Sequence, residues 1–366
     1  LAKRKSRITV VGDFDVDGAT STALLIRCLR QFGFADVGYL VPNRFEFGYG
    51  LTPEIVRIAA ESSPALLVTV DNGISSLTGV EEANSLGIPV LVTDHHLPGD
   101  ELPDAAVIVN PNLPGSRFPS RNLAGVGVGF YLMAALGRRL EKAGLKGAAR
   151  VPSQYLDLVA LGTVADVVPL DHNNRVIVDQ GLRRIRAGKT VPGIEALLRQ
   201  SGRQLARTTS ADLGFVAGPR INAAGRLEDI SIGIECLLTD DMDTALHHAA
   251  ILDRINGERR EIESTMREQA FAYVDAMDAS NLPACVCVCD ESWHQGVVGL
   301  IAARVRERCH RPSIAFARES NTLLKGSARS IQGVHARDPV SYTHLTLPTT
   351  IPSWGGGGGG GGCVGG

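Results

Sequence analysis

Short apolar runs alternate with amphipathic stretches through the first third of the chain. Each run is four to six residues long, a length typical of a buried strand. The stretches between them carry apolar residues at helical spacing. Leu24, Leu25, Cys28 and Leu29, for example, predict a helix from about Ala19 to Gln31. This alternation predicts an α/β domain with a doubly wound parallel sheet. The predicted strands cover 8–11, 37–41, 65–70, 89–93 and 106–109.

The second half of the chain predicts a long helix and a smaller domain. Residues 243–278 contain no proline and combine helical periodicity with many charges, which suits a connector between domains. A strand at 284–289, a helix at 297–308 and a strand at 313–317 then open a second, truncated α/β domain. The predicted boundaries are 1–235 for the catalytic domain with its helical extension, 236–280 for the long connecting helix and 281–339 for the partial second domain.

Residues 340–366 differ abruptly in composition and contain a run of eight glycines, 355–362. Ordering eight consecutive glycines costs too much entropy for a packed element. We therefore expect 340–366 to be a disordered, artefactual tail. Since the chain also starts at Leu1 rather than methionine, we expect it to be truncated at both ends.

Composition narrows the class of protein only slightly. The net charge is −2, so the chain has no overall basic footprint for nucleic acid. None of the seven cysteines forms a C-x-x-C pair, which argues against a zinc site. We expect the cysteines to be unpaired in a reducing cytoplasm. The apolar runs are too short to cross a membrane, so we expect no membrane partner.

Acidic residues follow the ends of several predicted elements. Asp13, Asp15 and Asp17 come after the first strand, Asp71 after the third and Asp94-His95-His96 after the fourth, while Asp166 ends a helix. Because the carboxyl ends of parallel strands share one sheet edge, these side chains should converge. Hard divalent cations favour such oxygen ligands, and the number of carboxylates predicts two ions, Mn²⁺ or Mg²⁺. The sequence therefore predicts metal-dependent hydrolysis at phosphorus.

These motifs resemble those of the DHH phosphoesterase family. The matching segments are GDFDVDGAT (12–20), TVDNGI (69–74), VTDHH (92–96) and GTVADV (162–167). The segments AGVGVGF (124–130) and GPRINAAGRL (218–227) resemble the single-strand-specific RecJ exonucleases within that family, and WHQGVVG (293–299) and KGSARS (325–330) resemble the DHH-associated C-terminal domain.

The resemblance implies roles for individual residues. Metal ligands would be Asp13, Asp15, Asp17, Asp71, His95 and Asp166, with Asp71 bridging the ions. Asp94, His95 and His96 would act in catalysis, with Asp94 and His96 working beside the ligands or on phosphate and water. Many family members have a histidine where this chain has Val11, which leaves open which aspartate of the first motif binds which ion. Residues expected to contact nucleic acid are Arg220, Asn222, Arg226, His294, Ser327 and Arg329.

The resemblance implies an exonuclease that degrades single-stranded DNA from 5′ to 3′ in DNA repair and recombination. Single-stranded DNA is the expected partner, and a helicase or single-strand-binding protein is a further candidate. The oligomeric state stays open. One alternative is a DHH enzyme that hydrolyses oligonucleotides or cyclic dinucleotides. Another is a non-catalytic DNA-binding relative, which should have lost metal ligands that this chain retains.

Overall fold

A computed structural model describes residues 6–42, 50–277, 283–320, 323–333 and 361–364. The strands are β1 Ile8–Val11, β2 Val37–Leu40, β3 Leu66–Val70, β4 Val90–Thr93, β5 Val107–Val109, β6 Val286–Asp290, β7 Ser313–Arg318, β8 Leu323–Arg329 and β9 Gly361–Val364. The α-helices are α1 Val16–Gln31, α2 Pro53–Ala60, α3 Leu77–Ser85, α4 Gly125–Lys142, α5 Leu156–Ala165, α6 His172–Arg186, α7 Pro192–Gln200, α8 Ser210–Asp212, α9 Gly218–Leu227, α10 Ser231–Leu238, α11 Met242–Asp275 and α12 Val298–Cys309.

The first five strands form one parallel sheet in the order β2-β1-β3-β4-β5. Alternate side chains of each strand enter opposite cores, as a pleated strand requires. Val10 and Val68 pack with α1, α4 and α5 on one face. Val11 and Val92 pack with α2 and α3 on the other. Helices on both faces confirm the predicted doubly wound fold.

Helix α1 begins three residues earlier than its apolar pattern predicts, at Val16 rather than near Ala19. Asp15 is its N-cap, and the Asp15 side chain accepts a hydrogen bond from the backbone nitrogen of Gly18. A side-chain oxygen at this position satisfies one of the free N–H groups in the first turn. The acidic loop and the start of the helix are therefore one structural unit.

The helices after the sheet cover the face that α1 occupies. Helix α5 is apolar all round, and its residues Leu158 and Leu161 are fully buried in the same core as α1. Arg27 of α1 anchors the C-terminal end of α10 by donating to the backbone oxygens of Leu237 and Thr239. This helical layer holds α5 in place, and Asp166 lies at the C-terminal end of that helix.

Two compact units divide the chain, residues 1–256 and 257–366, so the division falls inside α11. The predicted boundaries at 235 and 280 differ from this division and stay a prediction. In the second unit the sheet order is β6-β7-β8-β9, with β6 and β7 parallel and the other pairs antiparallel. Its core includes Val286, Val288 and Ala315 from the sheet and Ile301 from α12. A second α/β unit was predicted and is confirmed.

The segment 340–366 lies outside the described residues except for 361–364, which form β9 and pair with β8. Its assignment as an artefactual tail stays a prediction. Within the described residues, no helix is both long enough and apolar enough to span a membrane.

Candidate metal centre

The loop after β1 presents three carboxylates in five residues. Asp13 is buried and accepts from the backbone nitrogen of Phe14 at 2.7 Å. Asp15 caps α1, and Asp17 lies in its first turn. The turn is tight enough that a Cβ at Gly18 would lie 2.5 Å from the Asp13 carbonyl oxygen, so only glycine fits there.

Asp17 is held by the start of a second helix. Its Oδ2 accepts from the backbone nitrogen of Gly125 at 2.6 Å and its Oδ1 from that of Val126 at 2.9 Å, both in the first turn of α4. A helix N-terminus favours a negative charge. Burial and, after it, the charge of Asp15 nevertheless raise the pKa of Asp17 to about 7. The carboxylate therefore needs additional positive charge to stay ionised.

Asp71 follows β3 in a left-handed backbone conformation, with φ 61°. Aspartate tolerates this region better than most residues. The backbone nitrogen of Asp71 donates to Thr93 at the end of β4, which ties the two strand ends together. Burial, followed by the charge of Asp17, raises the pKa of Asp71 well above its ordinary value.

Asp94 positions the two histidines that follow β4. Its Oδ1 accepts from the backbone nitrogen of His95 and lies 2.7 Å from Nδ1 of His96, while its Oδ2 accepts from Ile74. Burial alone would raise the pKa of Asp94, but the bond from His96 and its charge bring the pKa below its ordinary value. Burial lowers the pKa of His96. The hydrogen bond to Asp94 and the negative charge of Asp94 outweigh the effect of burial, so the pKa of His96 is raised to about 9.

His95 lies at the centre of the cluster. Its Nε2 is 3.1 Å from Oδ1 of Asp71, 3.6 Å from Oδ2 of Asp166 and 3.9 Å from Oδ2 of Asp17. Burial, followed by the charge of His96, lowers the pKa of His95 to about 4, so the ring is neutral. The ring also bonds to the backbone of Leu123.

The proton of His95 can be assigned from its bonds. Nε2 is buried and has no hydrogen-bond partner among the described residues, so the bond to Leu123 must come from Nδ1. The Nε2 lone pair then faces oxygens of Asp71, Asp166 and Asp17. Because the pKa of Asp71 is raised, a proton on Asp71 can occupy this space in the metal-free protein, and a bound cation would take the place of that proton. A separation of 3.1 Å is what two adjacent ligands of one octahedral ion would have, each about 2.1 Å from it.

Asp166 completes the cluster from the end of α5. It is the C-cap of that helix, and its side chain is 23% exposed. Burial, followed by the charges of Asp17 and Asp15, raises the pKa of Asp166 to about 9. A shared cation would relieve the repulsion that raises the pKa values of these carboxylates.

Three overlapping groups of potential ligands result, each with ligand atoms within 4.8 Å of one another. They are Asp71, His95 and His96; Asp17, His95 and Asp166; and Asp13, Asp15 and Asp71. Asp71 and His95 each belong to two groups. The donor set and its geometry fit two neighbouring divalent cations that share ligands.

Among the residues expected to contact nucleic acid, those of α9 lie against the acidic loop or α11. Asn222 Oδ1 accepts from the backbone nitrogen of Val16, at the start of α1. Arg220 forms an ion pair with Asp253 of α11 at 2.7 Å and donates to the Val216 carbonyl. Arg226 is half-buried on the same helix. These contacts show how α9 is held, and the DNA roles stay predictions.

The other three predicted nucleic-acid residues lie in the second unit. Arg329 donates to Ser327 Oγ at 3.0 Å, and a Cβ at Gly299 would lie 3.1 Å from the same oxygen. Nδ1 of His294 accepts from the backbone nitrogen of Gly296. Ser327 and Arg329 are therefore adjacent, and their contact with DNA stays a prediction.

Several supporting residues were missed by the sequence analysis. Asn110 donates to the carbonyl of His96, and Asn112 donates to that of His95, so both asparagines hold the histidine loop. The backbone nitrogens of Gly125 and Val126 hold Asp17. The glycine-rich start of α4 was recognised as a motif, and its close approach is the signal that could have suggested this role, since a Cβ at Gly125 would lie 2.7 Å from Asp71.

Comparisons with known proteins agree with these motifs. The profile of the DHH family, N-terminal domain, matches residues 7–163, and the DHHA1 domain matches 281–362. The single-stranded-DNA-specific exonucleases RecJ of Dickeya dadantii (strain 3937) and Escherichia coli (strain K12) are each 53% identical to this chain over 96% of it. The chain spans 62% of the length of these curated relatives.

A solved structure extends the similarity to three dimensions. A crystal structure of exonuclease RecJ bound to manganese superposes with a TM-score of 0.82 at 33% identity, covering 99% of this chain and 86% of the other. Because 99% of this chain is covered, the similarity includes residues of both compact units.

Proposed function

Because the chain belongs to the DHH family and, within it, to the RecJ exonucleases, we propose that it hydrolyses phosphodiester bonds of single-stranded DNA with two divalent cations. The observation that carries the proposal is the position of Nε2 in the neutral ring of His95. This nitrogen lies 3.1 Å from Asp71 Oδ1 and close to the carboxylates of Asp17 and Asp166. The donor set supports bound cations, and the resemblance of the α9 segment 218–227 to the RecJ exonucleases supports single-stranded DNA as the substrate.

Asp71 belongs to two of the three groups of potential ligands and would be the ligand that the two ions share. One ion would be held by Asp17, His95 and Asp166, and the other by Asp13 and Asp15, with Asp71 between them. Oxygen ligands with one imidazole suit Mn²⁺ or Mg²⁺. When bound, these cations lower the pKa of a water and offset charge that develops on the phosphate.

The remaining residues of the centre position groups and move protons. Asp94 Oδ1 accepts a hydrogen bond from Nδ1–H of His96. This bond fixes the ring and leaves Nε2–H of His96 to donate to a phosphate or leaving-group oxygen. The start of α4 keeps Asp17 in place, and Asn112 holds the backbone of His95. The chain thus supplies a rigid set of ligands and one cationic donor.

Contacts with the strand are proposed for α9 and the second unit. Arginine binds phosphate through its planar fork, so Arg226, Arg220 and Arg329 are the candidates for the DNA backbone, supported by Asn222, His294 and Ser327. The family resemblance supports cleavage from 5′ to 3′ and a role in DNA repair and recombination. It also supports a cytoplasmic location, and a helicase or single-strand-binding protein that exposes the substrate as a partner.

A direct assay tests this function and separates it from the alternatives. The chain would be incubated with a single-stranded oligonucleotide labelled at either end, with the matching duplex, and with a cyclic dinucleotide, in Mn²⁺ or in EDTA. We expect mononucleotides to be released from the 5′ end of the single strand in Mn²⁺ only. Hydrolysis of the cyclic dinucleotide alone would favour a DHH enzyme that acts on oligonucleotides or cyclic dinucleotides. DNA binding without cleavage would favour a non-catalytic DNA-binding relative.

A further inference from the structure

Phe215 is an aromatic side chain that the fold leaves in solvent. It is 83% exposed, whereas its neighbours Leu213 and Ala217 are fully buried. The segment Leu213–Ala217 is a π-helical turn that leads into α9. Single π-turns within helices are uncommon and occur often at functional sites, where the extra residue redirects side chains. The backbone here points Phe215 away from the core.

This turn packs against the end of α5, where the ligand Asp166 lies. A Cβ at Gly214 would be 3.1 Å from Val164 Cγ1, and a Cβ at Gly218 would be 3.3 Å from Cβ of Ala165. The same Cβ at Gly218 would lie 4.0 Å from Val16, the first residue of α1. The residues on either side of Phe215 therefore lie against the end of α5, which carries Asp166. Gly218 also approaches the first residue of α1, which follows the acidic loop.

A second exposed apolar side chain lies beside Asp166. Val167 is 84% exposed and has φ 61°, a left-handed conformation that is unfavourable for a β-branched residue. Such strain persists where the surrounding structure enforces it. Within the described part of the chain, Val167 and Phe215 are the most exposed large hydrophobic residues, and both adjoin the segment that supplies one ligand.

We propose that Phe215 stacks on a nucleobase of the single strand whose phosphate occupies the metal centre, with Val167 beside the same nucleotide. The inference rests on the proposed function and adds a residue that selects for single strands. A base in a duplex is already stacked on both faces, whereas an unpaired base can offer one face to an aromatic ring. Stacking accepts all four bases, so it gives strand selectivity without sequence selectivity.

Binding measurements with matched oligonucleotides test the stacking directly. Affinities of the parent, Phe215→Ala and Phe215→Trp would be measured by fluorescence anisotropy in Ca²⁺, with an oligothymidylate and with the same backbone carrying abasic tetrahydrofuran residues. We expect Phe215→Ala to weaken binding of the oligothymidylate by about 5- to 150-fold, the effect of losing one stacked base. Phe215→Trp should restore it, and the abasic oligonucleotide should bind parent and variants alike.

A control variant and three outcomes complete the test. Leu86→Ala removes a side chain that is 48% exposed after α3 and should change neither affinity. Equal oligothymidylate affinities for the parent and Phe215→Ala would overturn the inference. An equal loss of affinity for the oligothymidylate and the abasic oligonucleotide would also overturn it. The same holds if the parent self-associates and Phe215→Ala abolishes this self-association. If the parent neither binds nor cleaves single strands, the proposed function fails instead, whatever Phe215 does.

Discussion

Nε2 of His95 lies 3.1 Å from Oδ1 of Asp71, although the two residues end different strands of the parallel sheet. The neutral imidazole and the carboxylate both offer lone pairs to the space they face. The parallel pairing of β3 with β4 brings their carboxyl ends to the same edge, and the bond from Asp71 to Thr93 fixes their spacing. The sheet thus creates a position that a cation stabilises.

Asp71→Asn should test the shared ligand because it removes one negative charge and keeps the side-chain shape. We expect Mn²⁺ affinity to fall by more than about 100-fold, beyond what supporting residues of a metal site contribute, and nuclease activity to be lost. The metal-free variant should be at least as stable as the parent, since burial and the charge of Asp17 disfavour the ionised Asp71. Isothermal titration and urea unfolding would measure the two effects.

Asp100→Asn is the matched control for this variant because Asp100 is an exposed aspartate outside the cluster. It should leave Mn²⁺ binding and unfolding unchanged. If Asp71→Asn still bound two ions with the affinity of the parent, Asp71 would not belong to the metal centre.

Asn222→Ala should weaken metal binding without removing a ligand. Asn222 Oδ1 accepts from Val16, and this bond holds the loop that carries Asp13, Asp15 and Asp17. Loss of a residue that orients metal ligands typically costs about 10- to 100-fold in metal affinity. Asn222→Asp retains an acceptor and should bind Mn²⁺ closer to the parent. Equal Mn²⁺ affinities for Asn222→Ala and the parent would contradict a positioning role.

Arg220→Ala and Asp253→Asn together separate a DNA contact from a structural ion pair. Both variants break the ion pair between α9 and α11, so both should lose a similar amount of stability. The DNA-contact hypothesis predicts that Arg220→Ala alone reduces the slope of log affinity against log salt by about one unit. Affinities for a single-stranded oligonucleotide across a salt series would measure it. The same slope in both variants would show that Arg220 is structural.

Asp157 predicts a pH dependence of stability away from the metal centre. It is fully buried and accepts from Thr190 Oγ1 and the backbone nitrogen of Val191, and burial raises its pKa above the ordinary 3.8. A raised folded-state pKa means that the folded protein binds this proton more tightly than the unfolded chain. The stabilising contribution is therefore present below pH 3.8 and is lost as pH rises through the folded-state pKa.

Asp157→Asn keeps the acceptor oxygen and cannot titrate. The difference in unfolding free energy, parent minus variant, should therefore decrease as pH rises above about 4. Chemical unfolding of both proteins at several pH values would measure this difference. A difference that does not change with pH would mean that Asp157 has the same pKa in the folded and unfolded states.

The fold could be predicted largely from local patterns. Apolar runs that end in Gly12, Asp71 or Asp94 placed the strands of the first sheet within one or two residues, because a buried strand and the turn after it each have a local signature. The alternation with helices also predicted that the acidic residues would meet at one edge. Helix α1 was predicted late because its start depends on the side chain of Asp15 rather than on apolar spacing.

The supporting contacts of the site could not be predicted in the same way. Asp17 and Gly125 are 108 residues apart, and Val16 and Asn222 are 206 apart. Such pairs leave no periodic signal in a single sequence, because they depend on how α4 and α9 pack against α1. The ligands were thus visible as motifs, whereas the groups that orient them became visible only with the fold.

Diffraction from crystals grown with Mn²⁺, recorded at a wavelength with strong manganese anomalous scattering, tests the central claim most directly. The account predicts two anomalous peaks about 3.5–4 Å apart, both within coordination distance of Asp71 and one also next to Nε2 of His95. The pair should be replaced by at most one peak in Asp71→Asn crystals. No anomalous peak at His95 and Asp71, with Mn²⁺ bound elsewhere or not at all, would contradict the account.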